Sequence, residues 1–170
     1  MAARRPGCHD HGMGAVRVRT MTETEFAEWQ RELAEQYAEE QVAAGRWGPE
    51  GAVERALTEN AELLPAGLRT ERMLVLRGLD DQGEPIGRAW VALDHPRGAP
   101  DTAFLYDIEV LEQRRGEGLG RGLLAAVEAA VRRAGVGALE LNVFGHNQRA
   151  IGVYSAAGYR VTTQQMRKAL

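Results

Sequence analysis

Cysteine and long hydrophobic runs are the two features that this sequence most lacks. Its 170 residues include one cysteine, Cys8, so the chain cannot form an internal disulfide bond. We therefore expect it to work in the reducing cytoplasm. Its apolar runs are far shorter than the roughly 20 residues that span a bilayer, which predicts that the chain has no membrane segment.

An excess of positive charge is also missing. The chain has 21 Lys and Arg residues against 24 Asp and Glu residues, which gives a formal net charge of -3. Proteins that bind nucleic acid in bulk usually present a basic face. The composition therefore predicts that nucleic acid is not a partner.

The first fifteen residues lack the apolar stretch that a secretory signal requires. Cys8, His9 and His11 lie close together and could bind a metal, but Gly/His-rich terminal segments are usually disordered and hold ligands poorly. We predict a disordered tail over residues 1–15, a single domain over residues 16–170, and no metal site.

Hydrophobic periodicity predicts the order of helices and strands in the rest of the chain. Residues 16–19 alternate between apolar and polar side chains, as a short strand does. Thr22 is followed three residues later by Glu25, a capping box that predicts a helix to about residue 45, and a second helix is predicted over residues 49–64. Further strands are predicted over residues 73–79, 86–93, 102–110, 138–144 and 159–166, and further helices over residues 119–134 and 147–157.

The predicted order, β-α-α-β-β-β-α-β-α-β, is typical of the α/β class. A meander of hairpin-linked strands comes first, and a crossover helix follows it. Such an order predicts a mixed sheet with helices packed against it.

A glycine-rich loop between a predicted strand and a predicted helix is the most specific feature of the sequence. It runs from Gln113 to Gly122 and reads QRRGEGLGRG. Backbone N–H groups in such a loop can point at a phosphate, and the following helix dipole and the loop arginines add attraction. The glycine spacing does not match the dinucleotide-binding fingerprint, and the Lys-Ser/Thr pair of a nucleotide-triphosphate loop is absent.

Two spaced sequence blocks can be compared with known families. The first is Gln113-x-x-Gly116-x-Gly118 in the glycine-rich loop, and the second is Asn147-x-x-Ala150-x-x-x-Tyr154-x-x-x-Gly158-Tyr. They resemble, in that order, the pyrophosphate loop and the late motif of the GNAT superfamily of acyl-CoA-dependent N-acetyltransferases. The resemblance implies a central mixed sheet with helices on both faces, in which strands 102–110 and 138–144 splay apart.

The resemblance also implies the donor substrate, acetyl-CoA, and the residues that handle it. Tyr154 takes the role of general acid that protonates the leaving thiolate; a tyrosine considered alone would be interpreted as a core aromatic, but the matching residues around it favour the catalytic role. Asn147 lies seven residues before Tyr154, two helical turns away and on the same face. The residues that the resemblance assigns to cofactor binding are Ile108, Val110, Arg115, Gly116, Gly118, Leu119, Gly120, Arg121 and Asn147.

The general base is less clearly marked. Asp107 and Glu109 flank Ile108 and share one face of their strand, near the expected acetyl group. Glu109 is our candidate base, acting directly or through water. Two solvated or ion-paired strand carboxylates remain an equal interpretation of the same residues.

The acceptor is the part of the reaction that the sequence defines least. Residues 21–64 hold eleven glutamates and three arginines, a charge balance that would attract a cationic amine or could simply be a solvated helix face. We expect direct acetyl transfer to a primary amine on a small molecule or peptide, in a protein that could form a homodimer. The alternative is an inactive acyl-CoA-binding sensor or interaction domain on the same fold.

Overall fold

The computed structural model describes residues 15–169 of the chain. Residues 1–14, which include Cys8, His9 and His11 and nearly all of the predicted tail, lie outside the described part. The strands are β1 (Arg17–Thr20), β2 (Met73–Leu79), β3 (Pro85–Ala92), β4 (Thr102–Val110) and β5 (Ala138–Leu141), and the helices are α1 (Glu23–Ala43), α2 (Ala52–Leu63), α3 (Leu119–Arg133) and α4 (Gln148–Ala156).

The five strands form one mixed sheet in the order β1-β2-β3-β4-β5. The first four strands pair antiparallel, and β5 pairs parallel to β4 after the crossover through α3. This arrangement confirms the predicted fold class. The capping box at Thr22 and Glu25 is present at the start of α1, as its sequence signature predicts.

Helices cover both faces of the sheet. On one face α3 packs its apolar stripe against the strands, and a buried cluster that includes Val91, Leu105 and Leu124 fills the space. Gly78 and Gly87 are cross-strand neighbours, and a Cβ on either would overlap Leu123, so these glycines let α3 approach closely. On the other face α1 and α2 cover a second cluster: Met21, Phe26, Trp29, Leu64, Val75 and Trp90.

Two strand predictions need correction at the end of the chain. The strand predicted over residues 138–144 ends at Leu141, and no strand forms over residues 159–166. A strand requires a partner ladder, and the segment after Tyr159 forms none with the part of the chain that the structure describes. Val161 and Met166 there remain 79% and 89% exposed. The prediction of a strand over residues 159–166 was therefore wrong, because no strand within residues 15–169 pairs with that segment.

Candidate active site

A β-bulge in β4 determines which way the strand carboxylates point. Leu105 lies opposite Val91 and Asp107 lies opposite Trp90, so Tyr106 is an extra residue in the ladder. A bulge of this kind places consecutive side chains on the same face and reverses the alternation beyond it.

The bulge decides on which face of the sheet Asp107 and Glu109 lie. Ala103 and Leu105 face the apolar layer under α3, and unbroken alternation would place Asp107 and Glu109 in that layer as well. Instead Ile108 packs there, and the two carboxylates face α1. The predicted shared face of Asp107 and Glu109 is therefore correct, although the bulge that produces it was not predicted.

The strands β4 and β5 separate next to this bulge. Their pairing covers Thr102 to Leu105 and Ala138 to Leu141, and β4 then continues alone to Val110. The Leu111 N–H donates to the Ile86 carbonyl at 2.9 Å on the β3 side. Since backbone groups alternate in direction along an antiparallel ladder, those of Ile108 and Val110 point to the other side, where β5 has ended.

A buried arginine holds the two carboxylates. The Arg88 side chain is 4% exposed, and its Nε donates to Asp107 Oδ2 at 2.9 Å. Its two terminal nitrogens bind Glu109, the Glu32 carboxylate at 2.9 Å and the Gln36 amide oxygen at 2.7 Å. One guanidinium from β3 thus ties two β4 carboxylates to two α1 side chains.

Asp107 is the more enclosed of the two acids. The Trp29 indole N–H donates to the same Oδ2 atom at 3.1 Å, and the carboxylate side chain is 14% exposed. Burial raises the pKa of Asp107 above its ordinary value, while Arg88 and Trp29 oppose that change. Asp107 is therefore fixed in place by its hydrogen bonds to Arg88 and Trp29.

Glu109 has both carboxylate oxygens on guanidinium groups. Oε2 binds Arg88, and Oε1 binds Arg115 from the glycine loop. The Arg115 Nε also donates to the Val110 carbonyl at 3.3 Å. Two residues assigned to different roles, Glu109 as base and Arg115 as cofactor ligand, are therefore joined by an ion pair.

The glycine loop leads directly into α3. Gly116 and Gly118 have φ values of 90° and 77°, and Gly118 is the N-cap of the helix with no side-chain cap on the first N–H groups. Those N–H groups, from Leu119 and Gly120 onward, remain available to an anion.

The three arginines of the loop have different surroundings. Arg114 binds Asp80 and Glu117, and Arg115 binds Glu109. Arg121 is exposed and makes no ion pair within residues 15–169. Arg121 is thus the loop cation that is free for a phosphate.

Helix α4 presents the second sequence block. Asn147 is its N-cap and accepts a hydrogen bond from the Ala150 N–H at 3.1 Å. Tyr154 is partly buried, with its ring centroid 5.7 Å from that of Tyr159. Burial, followed by the nearby charge of Asp107, raises the pKa of Tyr154, so its hydroxyl keeps its proton across the neutral range.

A cleft of about 330 Å³ brings several of these groups together. It gathers Ile108, Glu109 and Asn147, which were assigned to the site, with Asp107 and three α1 side chains. The glycine loop and Tyr154 lie outside its lining. Burial, and then the charge of Asp107, raises the pKa of Glu40 at its rim. The lining residues are Gln36, Glu39, Glu40, Asp107, Ile108, Glu109 and Asn147.

Sequence reasoning missed Arg88 and Gln36, and it did not distinguish Glu39 and Glu40 from the other glutamates of residues 21–64. A signal existed for Arg88, because a charged residue between Gly87 and Ala89 in an otherwise apolar strand needs a buried partner. The α1 glutamates carried no such signal, since solvated and site-lining glutamates look the same on a helix. Within residues 15–169 no group of three His, Cys, Asp or Glu side chains could hold a metal ion, and no helix could cross a membrane.

Comparisons with known proteins agree on one family. The model of the acetyltransferase (GNAT) family matches residues 24–159. The uncharacterised N-acetyltransferases YycN and YdgE of Bacillus subtilis are 33% and 30% identical to the chain. The matches cover 91% and 92% of this chain and 99% of each relative.

Solved structures show the same fold. The crystal structure of YycN superposes with a TM-score of 0.83 at 33% identity, over 91% of this chain and 98% of YycN. The aminoglycoside acetyltransferase AAC(6')-Iy, solved in complex with a CoA bisubstrate analogue, superposes with a TM-score of 0.60 at 21% identity. That match covers 91% of this chain and 97% of AAC(6')-Iy.

Proposed function

The chain belongs to the acetyltransferase (GNAT) family, and from this premise we propose that it transfers the acetyl group of acetyl-CoA directly to a primary amine. One observation carries the proposal. The bulge and the end of β5 leave the backbone of Ile108 and the N–H of Val110 without a strand partner, between a glycine loop and a cleft lined by carboxylates.

The donor substrate is assigned to the splayed strands and the loop. Ile108 and Val110 would pair with the pantetheine arm as an added strand does. The loop from Gly116 to Gly120 and the start of α3 would hold the pyrophosphate, with Arg121 as counter-charge and Asn147 as a polar contact from α4. AAC(6')-Iy, which has the same fold, was solved with a CoA bisubstrate analogue, and this supports CoA as the carrier of the acetyl group.

Arg115 is assigned to cofactor binding, and it is also the ion-pair partner of Glu109. It binds Glu109 through Nη2 in the structure, and we propose that it exchanges this ion pair for a phosphate when acetyl-CoA binds. Acetyl-CoA binding would then leave Glu109 with Arg88 as its remaining cation. A carboxylate with one free oxygen is a better proton acceptor than one with both oxygens occupied.

The acceptor is assigned to the acidic cleft. Four of its lining residues are carboxylic acids, and Arg88 is buried behind two of them. A cationic amine would be attracted there and would meet the β4 carboxylates at the end where the acetyl group lies. We propose a primary amine on a small molecule or peptide as the acceptor.

Proton transfers complete the proposed reaction. An amine with a pKa of about 10 must lose a proton to attack, and Glu109 would accept it, directly or through a water. The nitrogen then forms its bond to the acetyl carbon as the carbon–sulfur bond breaks. The Tyr154 hydroxyl would donate its proton to the leaving thiolate, and its raised pKa keeps that proton in place until then. The amide nitrogen would release its second proton to solvent, and the Tyr154 oxygen would regain a proton from solvent.

We also propose the setting of this reaction. Residues 16–170 would act as one acetyltransferase domain, without nucleic acid, in the cytoplasm. A chain with one cysteine is compatible with that reducing compartment.

A thiol-release assay tests the proposed function. Pure protein is incubated with acetyl-CoA and a panel of mono-, di- and polyamines, aminoglycosides and peptides, and both free CoA and acetylated amine are measured. We expect amine-dependent CoA release that falls about 100-fold in Tyr154→Phe and stays unchanged in Tyr37→Phe, which lies in a separate cluster beside Trp47.

Two results would count against the proposal. Binding of acetyl-CoA with no release for any acceptor would indicate a sensor instead of an enzyme. Full activity in Tyr154→Phe would remove the tyrosine from the reaction.

A further inference from the structure

One arginine joins the hairpin between β2 and β3 to the glycine loop. Asp80, the first residue of the hairpin, accepts through Oδ2 from both terminal nitrogens of Arg114, at 3.1 and 3.2 Å. The same guanidinium donates to both carboxylate oxygens of Glu117, at 3.0 to 3.1 Å. Arg114 and Glu117 lie on either side of Gly116, so this clamp ties both sides of Gly116 to the hairpin.

The hairpin holds the Asp80 carboxylate in a fixed position. Its Oδ1 accepts from the Gln82 N–H at 3.0 Å and from the Glu84 N–H at 2.8 Å. The Asp80 N–H donates to the Glu84 carbonyl at 3.0 Å, and Asp80 as a whole is buried. One carboxylate oxygen therefore shapes the turn, and the other oxygen binds Arg114.

The glycine loop has few other contacts that hold its shape. Gly116 and Gly118 both have positive φ, and glycine has more backbone freedom than any other residue. The N–H groups of residues 116–118 donate to no backbone carbonyl within residues 15–169. Arg115 binds Glu109, but the proposed reaction has it leave that ion pair when acetyl-CoA binds. The contacts of Arg114 then remain to hold the loop.

The charge of this clamp opposes a direct role in phosphate binding. All three guanidinium nitrogens of Arg114 already donate to carboxylates. Asp80 and Glu117 together carry two negative charges against the one positive charge of Arg114, so the clamp as a whole would repel a pyrophosphate. Any contribution that it makes to binding therefore comes through the shape of the loop.

We propose that Asp80 is a positioning residue for acetyl-CoA, which acts through Arg114 to hold the glycine loop in the shape that receives the pyrophosphate. A loop that already has its bound shape loses less conformational entropy when the ligand binds. Asp80 itself touches neither substrate. The inference rests on the proposed acetyl-CoA site and adds the residue that keeps that site formed in the free protein.

Titration calorimetry with acetyl-CoA tests the direction of the effect, at a temperature well below the unfolding midpoint of each variant. Asp80→Asn keeps an oxygen for the Gln82 and Glu84 N–H groups but loses the charge that holds Arg114. Its dissociation constant should rise about 10-fold. Charge alone predicts the opposite sign, because removing an anion near the site should tighten the binding of an anionic ligand.

A neighbouring aspartate provides the matched control. Asp81 is exposed and makes no ion pair within residues 15–169. Asp81→Asn removes the same charge from the same hairpin without touching the clamp, so its dissociation constant should not rise. Glu117→Gln breaks the clamp at an exposed side chain of the loop and leaves the hairpin intact. Its dissociation constant should rise as that of Asp80→Asn does.

A double-mutant cycle shows whether Asp80 acts through Arg114. Arg114→Gln should raise the dissociation constant about 10-fold, and adding Asp80→Asn should change it by less than about twofold. Effects of the two substitutions that multiply would overturn the proposal, as would an unchanged or lower dissociation constant in Asp80→Asn or Glu117→Gln. A wild-type protein that does not bind acetyl-CoA would overturn the acetyl-CoA site and this proposal together, whereas the other results overturn this proposal alone.

Discussion

Arg88 is the residue that decides whether two carboxylates can lie side by side in β4. Its guanidinium binds Asp107 and Glu109 behind the cleft and is almost fully buried. Removing one partner of a buried charge network leaves the other charges uncompensated, which costs far more than losing an exposed ion pair.

Replacing Arg88 by methionine should therefore lower the free energy of unfolding by about 3 to 5 kcal/mol, measured by urea denaturation at pH 7. The matched control is Arg72→Met, which breaks an ion pair to Asp94 with side chains 49% and 69% exposed. That control should cost less than about 1 kcal/mol. Equal losses in the two variants would mean that the Arg88 network does not stabilise the fold.

Glu109 is the candidate base, and Glu112, two residues beyond the end of β4, provides a control. Glu109→Gln should lower kcat by about 100-fold or more at saturating acetyl-CoA, because the amine then lacks its proton acceptor. The acetyl-CoA KM should not rise, because the variant no longer holds Arg115 in an ion pair. Glu112→Gln, an exposed glutamate without an ion pair in the described chain, should leave kcat unchanged. A Glu109→Gln variant with wild-type kcat would assign the proton to another group.

At the scale of elements, the glycine loop and the far end of α3 contain two glycines with similar positive φ values. Gly118 and Gly135 have φ values of 77° and 84°, and in both cases a Cβ would meet no other atom within 4 Å. Gly118 begins α3 in the proposed phosphate site, and Gly135 follows its other end.

Gly118→Val and Gly135→Val should each destabilise the fold by at least about 1 kcal/mol, because valine is strained at positive φ. Titration calorimetry with acetyl-CoA should separate them. Gly135→Val should bind as wild type does, whereas Gly118→Val should lose measurable binding, since its side chain would displace the phosphate from the N–H groups. Equal affinities would place the phosphate elsewhere.

The start of α1 provides a pH-dependent test. Hydrogen bonding to Arg19, with help from the Thr22 N–H and Arg77, lowers the pKa of Glu25 to about 2. Because the pKa is lower in the folded state, the stabilisation is complete above about pH 4.5 and is lost as the pH falls toward 2.

Glu25→Gln should thus cost about 1 to 2 kcal/mol at pH 7, and its difference from wild type should shrink between pH 4.5 and 2. Denaturation curves at several pH values measure this. Glu23→Gln, an exposed first-turn neighbour, should have little effect at any pH. A difference that stays constant down to pH 2 would contradict the role of the Glu25 charge.

Helices were predicted well where hydrophobic periodicity and capping residues define them. The pairing of β3 and β4 was not, because one extra residue changes its register. The Thr22 and Glu25 box and the α3 stripe have local signatures, and both were confirmed. The Tyr106 bulge has none, since its position depends on how β3 and β4 pair across the sheet. The sequence could therefore indicate Asp107 and Glu109 without showing what holds them.

At the scale of the whole molecule, the fold class and family followed from element order and two motifs, and both were confirmed. The last strand was predicted but does not form within residues 15–169, because a β-type sequence pattern shows that a segment can pair without identifying its partner. The cleft depends on contacts between α1 and β4 that lie far apart in sequence, and no local pattern encodes them.

The thermal midpoint of the pure protein with and without excess acetyl-CoA tests the central claim most directly, because every assigned role depends on that molecule binding. At 100 times its dissociation constant, acetyl-CoA should add about 2.7 kcal/mol and raise the midpoint by about 5 to 10 °C for a chain of this size. An unchanged midpoint at millimolar acetyl-CoA would mean that the glycine loop and the splayed strands do not form an acetyl-CoA site.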